Sequence, residues 1–284
     1  MPSMKKYLAE KFDVDQLAHV LDETPLWSAP FGLKLLDCVE YRRGITALDI
    51  GFGMGFPLTE LAMRLGSTST VYGIDPWKPG IERTQVKLDA YRIDNVRIIE
   101  APAEKIPLDD SSIDLIVSNN GINNVQDISQ VLSECARVLK PGGQFVMTMN
   151  LDKSMFEMYS ELESILSALH LDESVAAMHR HIQEKRPPLD AILDLLRANG
   201  FMIRLLEHDQ FNYRYADGTA MLHHFLIRMA FMDSWIKLLP TGQEEKIFDL
   251  LEKRLNDQAQ RLGGLRLSIP WVVIDSVVPL FPVE

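Results

Sequence analysis

The chain has only two cysteines in 284 residues, Cys38 and Cys135, far apart and each inside a helical pattern. That spacing excludes a disulfide framework and a cysteine-rich metal centre, so both read as buried, reduced thiols and no metal site is expected. Long apolar runs are missing too. No uninterrupted stretch is long enough to span a bilayer, and Lys5 and Lys6 are not followed by the apolar core of a secretory signal. The expected compartment is the cytoplasm, with no membrane partner. Basic charge is in deficit: 29 Lys and Arg stand against 40 Asp and Glu, for a formal net charge of −11. Binding a phosphate backbone requires a basic footprint, so nucleic acid is not expected as a partner. Repeats, low-complexity tracts and linkers are also absent, which excludes a solenoid or a disordered array.

What is present is organised around Ile45 to Ala62, ITALDIGFGMGFPLTELA. A short apolar run beginning with a β-branched residue leads into Gly51, Gly53 and Gly55. Leu58, Leu61, Ala62 and Leu65 then follow at helical spacing. This reads as strand, tight glycine turn and helix. Glycines suit a backbone at positive φ or one lying against a ligand, and the first N–H groups of the helix are free to face that ligand. The spacing is G-x-G-x-G, not the G-x-G-x-x-G of dinucleotide folds, which argues against a dehydrogenase. Asp49 stands two residues before the first glycine, and Asp75 ends the next strand, TVYGID. A carboxylate at that second strand tip suits the two hydroxyls of a ribose. The plainer alternative is an ordinary βα turn with two incidental acids.

Taken in order, residues 3 to 21 read as a helix, and Pro25 and Pro30 punctuate the break after it. Phe31 to Arg42 reads as a second helix ended by Gly44. Trp27, in the break, is expected to pack this helix onto the body, the alternative being that it covers a ligand. Strands are expected at Val71 to Ile74, Val96 to Ile99, Ile113 to Val117 and Gln144 to Met149, with helices at Ile81 to Ile93 and Ile128 to Leu139. The turn Lys140-Pro141-Gly142-Gly143 should stop the last of these helices. A sixth strand is expected at Phe201 to Leu206 and a last one at Trp271 to Val277. Between them lie a long, mostly apolar helix at Thr219 to Leu239, either continuous or broken, and an amphipathic one at Gln243 to Leu262.

Alternating strands and helices predict an α/β fold, a doubly wound, mainly parallel seven-stranded Rossmann-like sheet. Right-handed crossovers place the carboxyl ends of the strands, with Asp49, Asp75, Asn119 and Asn150, along one edge. The expected organisation is N-terminal helices at 1–44, a cofactor-binding core at 45–150, and a helical insert at 151–187. A core helix and sixth strand follow at 188–217, a second insert at 218–264, and the last core strand at 265–284. The two inserts are expected to form a cap. A helix apolar nearly all round, as in 219–239, also suits the interface of a homodimer.

These pieces resemble a class I S-adenosylmethionine-dependent methyltransferase, most closely the broad group acting on small molecules. Four stretches carry the resemblance, in order and with normal gaps: ALDIGFGMG, VYGIDPW, APAEKIPLDDSSIDLIVSN and CARVLKPGGQFVMT. It covers residues 45 to 150 and leaves out the inserts. It implies S-adenosylmethionine as cofactor. Gly51, Phe52, Gly53 and Gly55 would form the turn against its methionine portion, with Asp49 orienting that end. Asp75 would take the ribose hydroxyls, and Pro76 and Trp77 would flank the adenine. The Ala103 backbone N–H would meet an adenine ring nitrogen, and Asn119 would bound the methionine end. The group often carries an acid or amide before the residue matching Ala103. Here Pro102 stands there, without a side-chain acceptor, so Glu104 or a backbone carbonyl would serve instead. The typical seventh strand of the group is antiparallel, a role that falls to Trp271 to Val277.

Methyl transfer from a sulfonium is an in-line displacement that needs alignment and exclusion of water more than an acid–base pair. The absence of an obvious triad fits that chemistry. In the cluster SNNGINN, Asn120 and Asn123 are candidates to hold the acceptor through neutral amides, the alternative being turn and cap roles. His179, His181, His223 and His224 in the inserts are candidate bases, against the simpler reading as solvated or packed residues. The methionines clustered around the inserts suit either core filling or a partly apolar roof. The expected function is an enzyme that methylates a small, partly apolar molecule. The alternative is a non-catalytic protein of the same fold that binds S-adenosylmethionine or S-adenosylhomocysteine.

Overall fold

The computed structural model describes residues 27–280, so the helix expected at 3 to 21 and Pro25 lie outside the described residues. The described chain divides into two compact units. One comprises 27–150, 188–209 and 271–280; the other comprises 151–187 and 210–270. No helix among the described residues is long and apolar enough to cross a membrane.

The first unit begins with α1 (Ser28–Cys38) and β1 (Thr46–Ile50), followed by α2 (Leu58–Leu65) and β2 (Thr70–Asp75). Next come α3 (Lys78–Tyr91), β3 (Val96–Glu100), β4 (Ile113–Asn119), α4 (Ile128–Val138) and β5 (Leu139–Asn150). One seven-stranded sheet runs in the order β3-β2-β1-β4-β5-β7-β6, where β6 is Met202–Tyr215 and β7 is Leu265–Val277. Strands β1 to β5 are parallel, and β7 runs antiparallel to β5, pairing Gln144 with Val277 and Asn150 with Trp271. The doubly wound, mainly parallel sheet is therefore the one the alternating pattern predicts. Strand order reverses between β1 and β4, where an α/β sheet opens a crevice at its carboxyl edge. Both faces are covered, so β1 and β4 are buried almost throughout and read as apolar runs. Leu58, Leu61, Ala62 and Leu65 form the buried stripe of α2. Trp27 packs as expected: its ring meets Phe31 edge-on at 5.7 Å, and Phe31 meets Trp271 at 5.4 Å.

Several boundaries differ from expectation for identifiable reasons. Helix α1 stops at Cys38, not Arg42, with Val39 already extended. The buried amide of Gln144 ends it, donating from Nε2 to the Cys38 carbonyl and accepting the Glu40 N–H at Oε1, both at 2.9 Å. Cys38 itself is half-buried, while Cys135 is fully buried and its thiol is pushed far up by burial. The Lys140–Gly143 turn is absorbed into β5. Gly142 donates to the Val278 carbonyl at 2.7 Å and Gly143 accepts from Val278, so this segment stays paired. Strand β7 starts six residues early because Leu265, Leu267 and Ile269 alternate inward across Arg266 and Ser268.

The second unit is mainly helical, with α5 (Phe156–Ala168) and α6 (Asp172–Lys185). The core helix of the first unit, Leu189–Ala198, is α7, and Gly218–His223 is α8. The long helix expected at Thr219 to Leu239 is broken. His224 is extended (φ −65°, ψ 133°), and Arg228–Met232 forms a π-helical turn before one last turn at Asp233–Ile236. The amphipathic helix is α9 (Glu244–Leu262), which buries Ile247, Phe248, Leu251 and Leu255. The Trp235 indole donates to the Tyr159 hydroxyl at 3.0 Å, tying that last turn to α5.

Candidate active site

The site is built at the carboxyl ends of β1, β2, β3 and β4. After Ile50 the chain takes the turn Gly51–Gly55, with φ of +73°, +54° and +100° at its three glycines. Two of them serve packing. A Cβ on Gly51 would crowd the backbone of Gly121, and one on Gly55 would press on Thr84 and Thr59 at 3.1 to 3.3 Å. Gly53 differs: a Cβ added there meets nothing within 4 Å, so its backbone faces open space.

Asp75 holds this turn in shape. Its Oδ2 accepts the Gly53 N–H at 2.8 Å, and its Oδ1 accepts the Trp77 N–H at 2.8 Å. Each carboxylate oxygen keeps a further lone pair for a ligand hydroxyl. Helix α3 braces the other side. Gly80 lets the helix approach the Gly53 carbonyl, the Thr84 hydroxyl donates to that carbonyl at 3.3 Å, and Lys87 Nζ donates to the Met54 carbonyl at 2.9 Å.

A cavity of about 570 Å³ opens at this edge. Of the residues singled out in the sequence, Gly51, Gly53, Asp75, Pro76, Ala103 and Glu104 line it. Others stand behind the lining. Asp49 is fully buried within β1, and Phe52 points inward, its ring filling the space beside Gly73. Gly55 packs against α3, and the Trp77 ring lies over Gly80. Asn119 is turned toward α1, donating to the Ser28 carbonyl at 3.0 Å and accepting from Thr148 at 2.9 Å.

Neither oxygen of Asp49 makes a well-formed hydrogen bond. Burial, and then the charge of Asp75, raise its carboxyl well above the usual range, with only the Leu58 backbone N–H favouring the charged form. Glu104 Oε1 accepts the Gln126 N–H at 2.8 Å, which draws the loop after β4 over the loop after β3.

The asparagines after β4 form one network. Asn120, at φ +57°, accepts the Asn150 N–H at its Oδ1 at 3.0 Å. Asn123 donates to Asn150 Oδ1 at 2.6 Å and to Asn120 Oδ1 at 3.3 Å. Asn120 Nδ2 and Asn123 Oδ1 remain buried without a partner. Gly121, Asn124, Val125 and Gln126 also line the cavity, and sequence reasoning missed them as site residues. A glycine two residues past the end of a strand, set among turn-forming asparagines, was the available signal. Of the insert histidines, His179 pairs with Glu163 at 3.1 Å, and His223 Nδ1 meets the Thr219 carbonyl at 2.7 Å.

These features fit S-adenosylmethionine. The Gly53 backbone presents a cradle that a side chain would fill, the tip of β2 offers a carboxylate, and Pro76, Pro102 and Ala103 offer apolar walls. Residues 48–147 match a family described as a methyltransferase domain. Over 113 residues the chain is 36% identical to the ubiquinone/menaquinone biosynthesis C-methyltransferase of Idiomarina loihiensis, covering 39% of this chain and 45% of that protein. Against the demethylmenaquinone methyltransferase of Bacillus licheniformis, identity is 32% over 123 residues, covering 43% and 52%. The chain thus spans about half the length of the curated relatives it matches. A geranyl diphosphate C-methyltransferase from Streptomyces coelicolor, solved with S-adenosyl-L-homocysteine, shares the fold. Its TM-score is 0.54 at 18% identity, over 96% of this chain and 87% of that one. Sequence motifs, sheet topology and the glycine turn together make residues 48–147 a class I S-adenosylmethionine-dependent methyltransferase domain.

Proposed function

We propose that the chain transfers a methyl group from S-adenosylmethionine to a small, partly apolar molecule by in-line displacement. One observation carries this reading: a single cavity joins the Gly51–Gly53 turn, the Asp75 carboxylate and the Ala103–Glu104 loop. When bound, the cofactor supplies an activated methyl group. The protein's part is to position it and to keep water out. Asp75 takes the ribose hydroxyls while holding Gly53. Pro76, Pro102 and Ala103 face the adenine, with Glu104 Oε2 or a backbone carbonyl accepting from its amino group. Asn120 and Asn123, which carry one unpaired donor and one unpaired acceptor, suit an uncharged polar group of the acceptor. The names of the two curated relatives, both tied to quinone methylation, support an acceptor with a polar ring and an apolar body.

The reaction is placed in the cytoplasm, without nucleic acid, and pairing of two copies through the apolar segments of 219–239 is part of the same proposal. Sedimentation of the purified chain tests that pairing. For the activity, small molecules that co-purify are identified by mass spectrometry and offered back with S-adenosylmethionine. Release of S-adenosylhomocysteine together with a product heavier by one methyl group supports the reading. Tight cofactor binding without turnover on any co-purified molecule favours the non-catalytic alternative.

A further inference from the structure

Arg186 follows α6 at its carboxyl end, with only 4% of its surface exposed. Its Nη1 is sealed from solvent and has no acceptor. Among the described residues no carboxylate pairs with it. Its one ring neighbour is Tyr159, whose centroid lies 5.8 Å from the guanidinium carbon. Burial lowers the pKa of nearby His181, and the positive charges of Arg186 and Lys185 act the same way against the opposing charge of Glu184.

A guanidinium does not shed its proton at any pH a protein survives, so burial cannot be relieved by neutralisation. The cation–π contact offsets only part of the desolvation cost. The remaining requirement is for negative charge. Elsewhere in the same unit, Arg180, His181, Glu184 and Lys185 of α6 line a small groove of about 230 Å³ together with Ser234 and Lys237. Three cations against the Glu184 carboxylate leave that groove with a local excess of positive charge in a chain of net charge −11.

We infer that Arg186 anchors an oxyanion site in the unit formed by 151–187 and 210–270, taking the carboxylate or phosphate of a small molecule. A guanidinium offers two parallel N–H groups that match either geometry. The inference does not depend on methyl transfer, and its test reads out separately.

The test is a thermal-shift and calorimetric titration of the full chain with sodium phosphate and with sodium acetate, each against sodium chloride at equal ionic strength. A saturable response to phosphate alone assigns a phosphate ligand, and one to acetate alone a carboxylate. Arg186→Met should fold, be no less stable than the parent without anion, and bind the anion at least tenfold more weakly. Its affinity for S-adenosylmethionine should stay unchanged. No response beyond chloride in the parent, or an undiminished one in Arg186→Met, overturns the inference. If Arg186→Met does not fold, Arg186→Lys carries the comparison: loss of the two-pronged contact should weaken binding, and unchanged binding overturns the assignment.

Discussion

A Cβ placed on Gly51 would lie 2.7 Å from the Cα of Gly121, so the ends of β1 and β4 meet backbone to backbone beneath the cavity. The contact is stricter in reverse, since a Cβ on Gly121 would fall 2.2 Å from the Ile50 carbonyl oxygen. Gly121 has an ordinary helical φ of −69°, so sterics and not backbone strain demand glycine there. Gly121→Ala should cost about 1–3 kcal/mol of stability, the range for overpacking, and should displace the turn. Urea unfolding measures the first effect and S-adenosylmethionine titration the second. A variant with parental stability and affinity would show that the two backbones are free to separate.

Asp75 accepts two backbone N–H groups, so its loss acts on the turn as well as on the ligand. Asp75→Ala strands the N–H groups of Gly53 and Trp77 and should weaken cofactor binding by about 1–3 kcal/mol. Asp75→Asn keeps one acceptor and should fall between the alanine variant and the parent, in both melting temperature and affinity. Equal losses for both variants in calorimetry would mean that the charge alone matters, not the paired acceptors.

The sheet and its glycine turn were legible because they depend on local periodicity: apolar runs at β1 and β4, helical spacing in α2, and glycines between them. Phe211, Tyr213 and Tyr215 also alternate, yet the polar residues between them hid the far half of β6. Pro270 masked the near half of β7 in the same way. The stop of α1 at Cys38 was not readable, because its cause is Gln144, 106 residues away in the chain. At the site, the lining residues Gly51, Gly53, Asp75, Pro76, Ala103 and Glu104 followed from motif order. The inward turn of Phe52 and the contacts of Asn119 with Ser28 and Thr148 depend on packing that no motif encodes.

Asp49 should give the chain a distinctive pH response. Its folded carboxyl titrates well above the ordinary aspartate value of roughly 4. Between those two values the folded chain holds a proton that the unfolded chain has released. The contribution of Asp49 to stability is therefore full at low pH, falls as pH rises through the raised value, and is gone above it. Asp49→Asn removes this dependence, so the variant should gain stability relative to the parent as pH rises from roughly 4 toward neutrality. Denaturant unfolding across that range would detect it. A difference between the two proteins that does not change with pH would contradict the buried, proton-holding assignment.

The central claim is that the open face of the glycine turn receives S-adenosylmethionine, and Gly53 tests it most directly. Because a Cβ at Gly53 meets no protein atom, Gly53→Val should fold at a cost of only about 1–2 kcal/mol for its left-handed φ, while filling the cofactor's space. Calorimetric titration of S-adenosylmethionine into parent and variant, both verified as folded, is the decisive measurement. The account predicts saturable one-to-one binding to the parent and none detectable to Gly53→Val. Normal binding by the folded variant, or no binding by the parent, would contradict it.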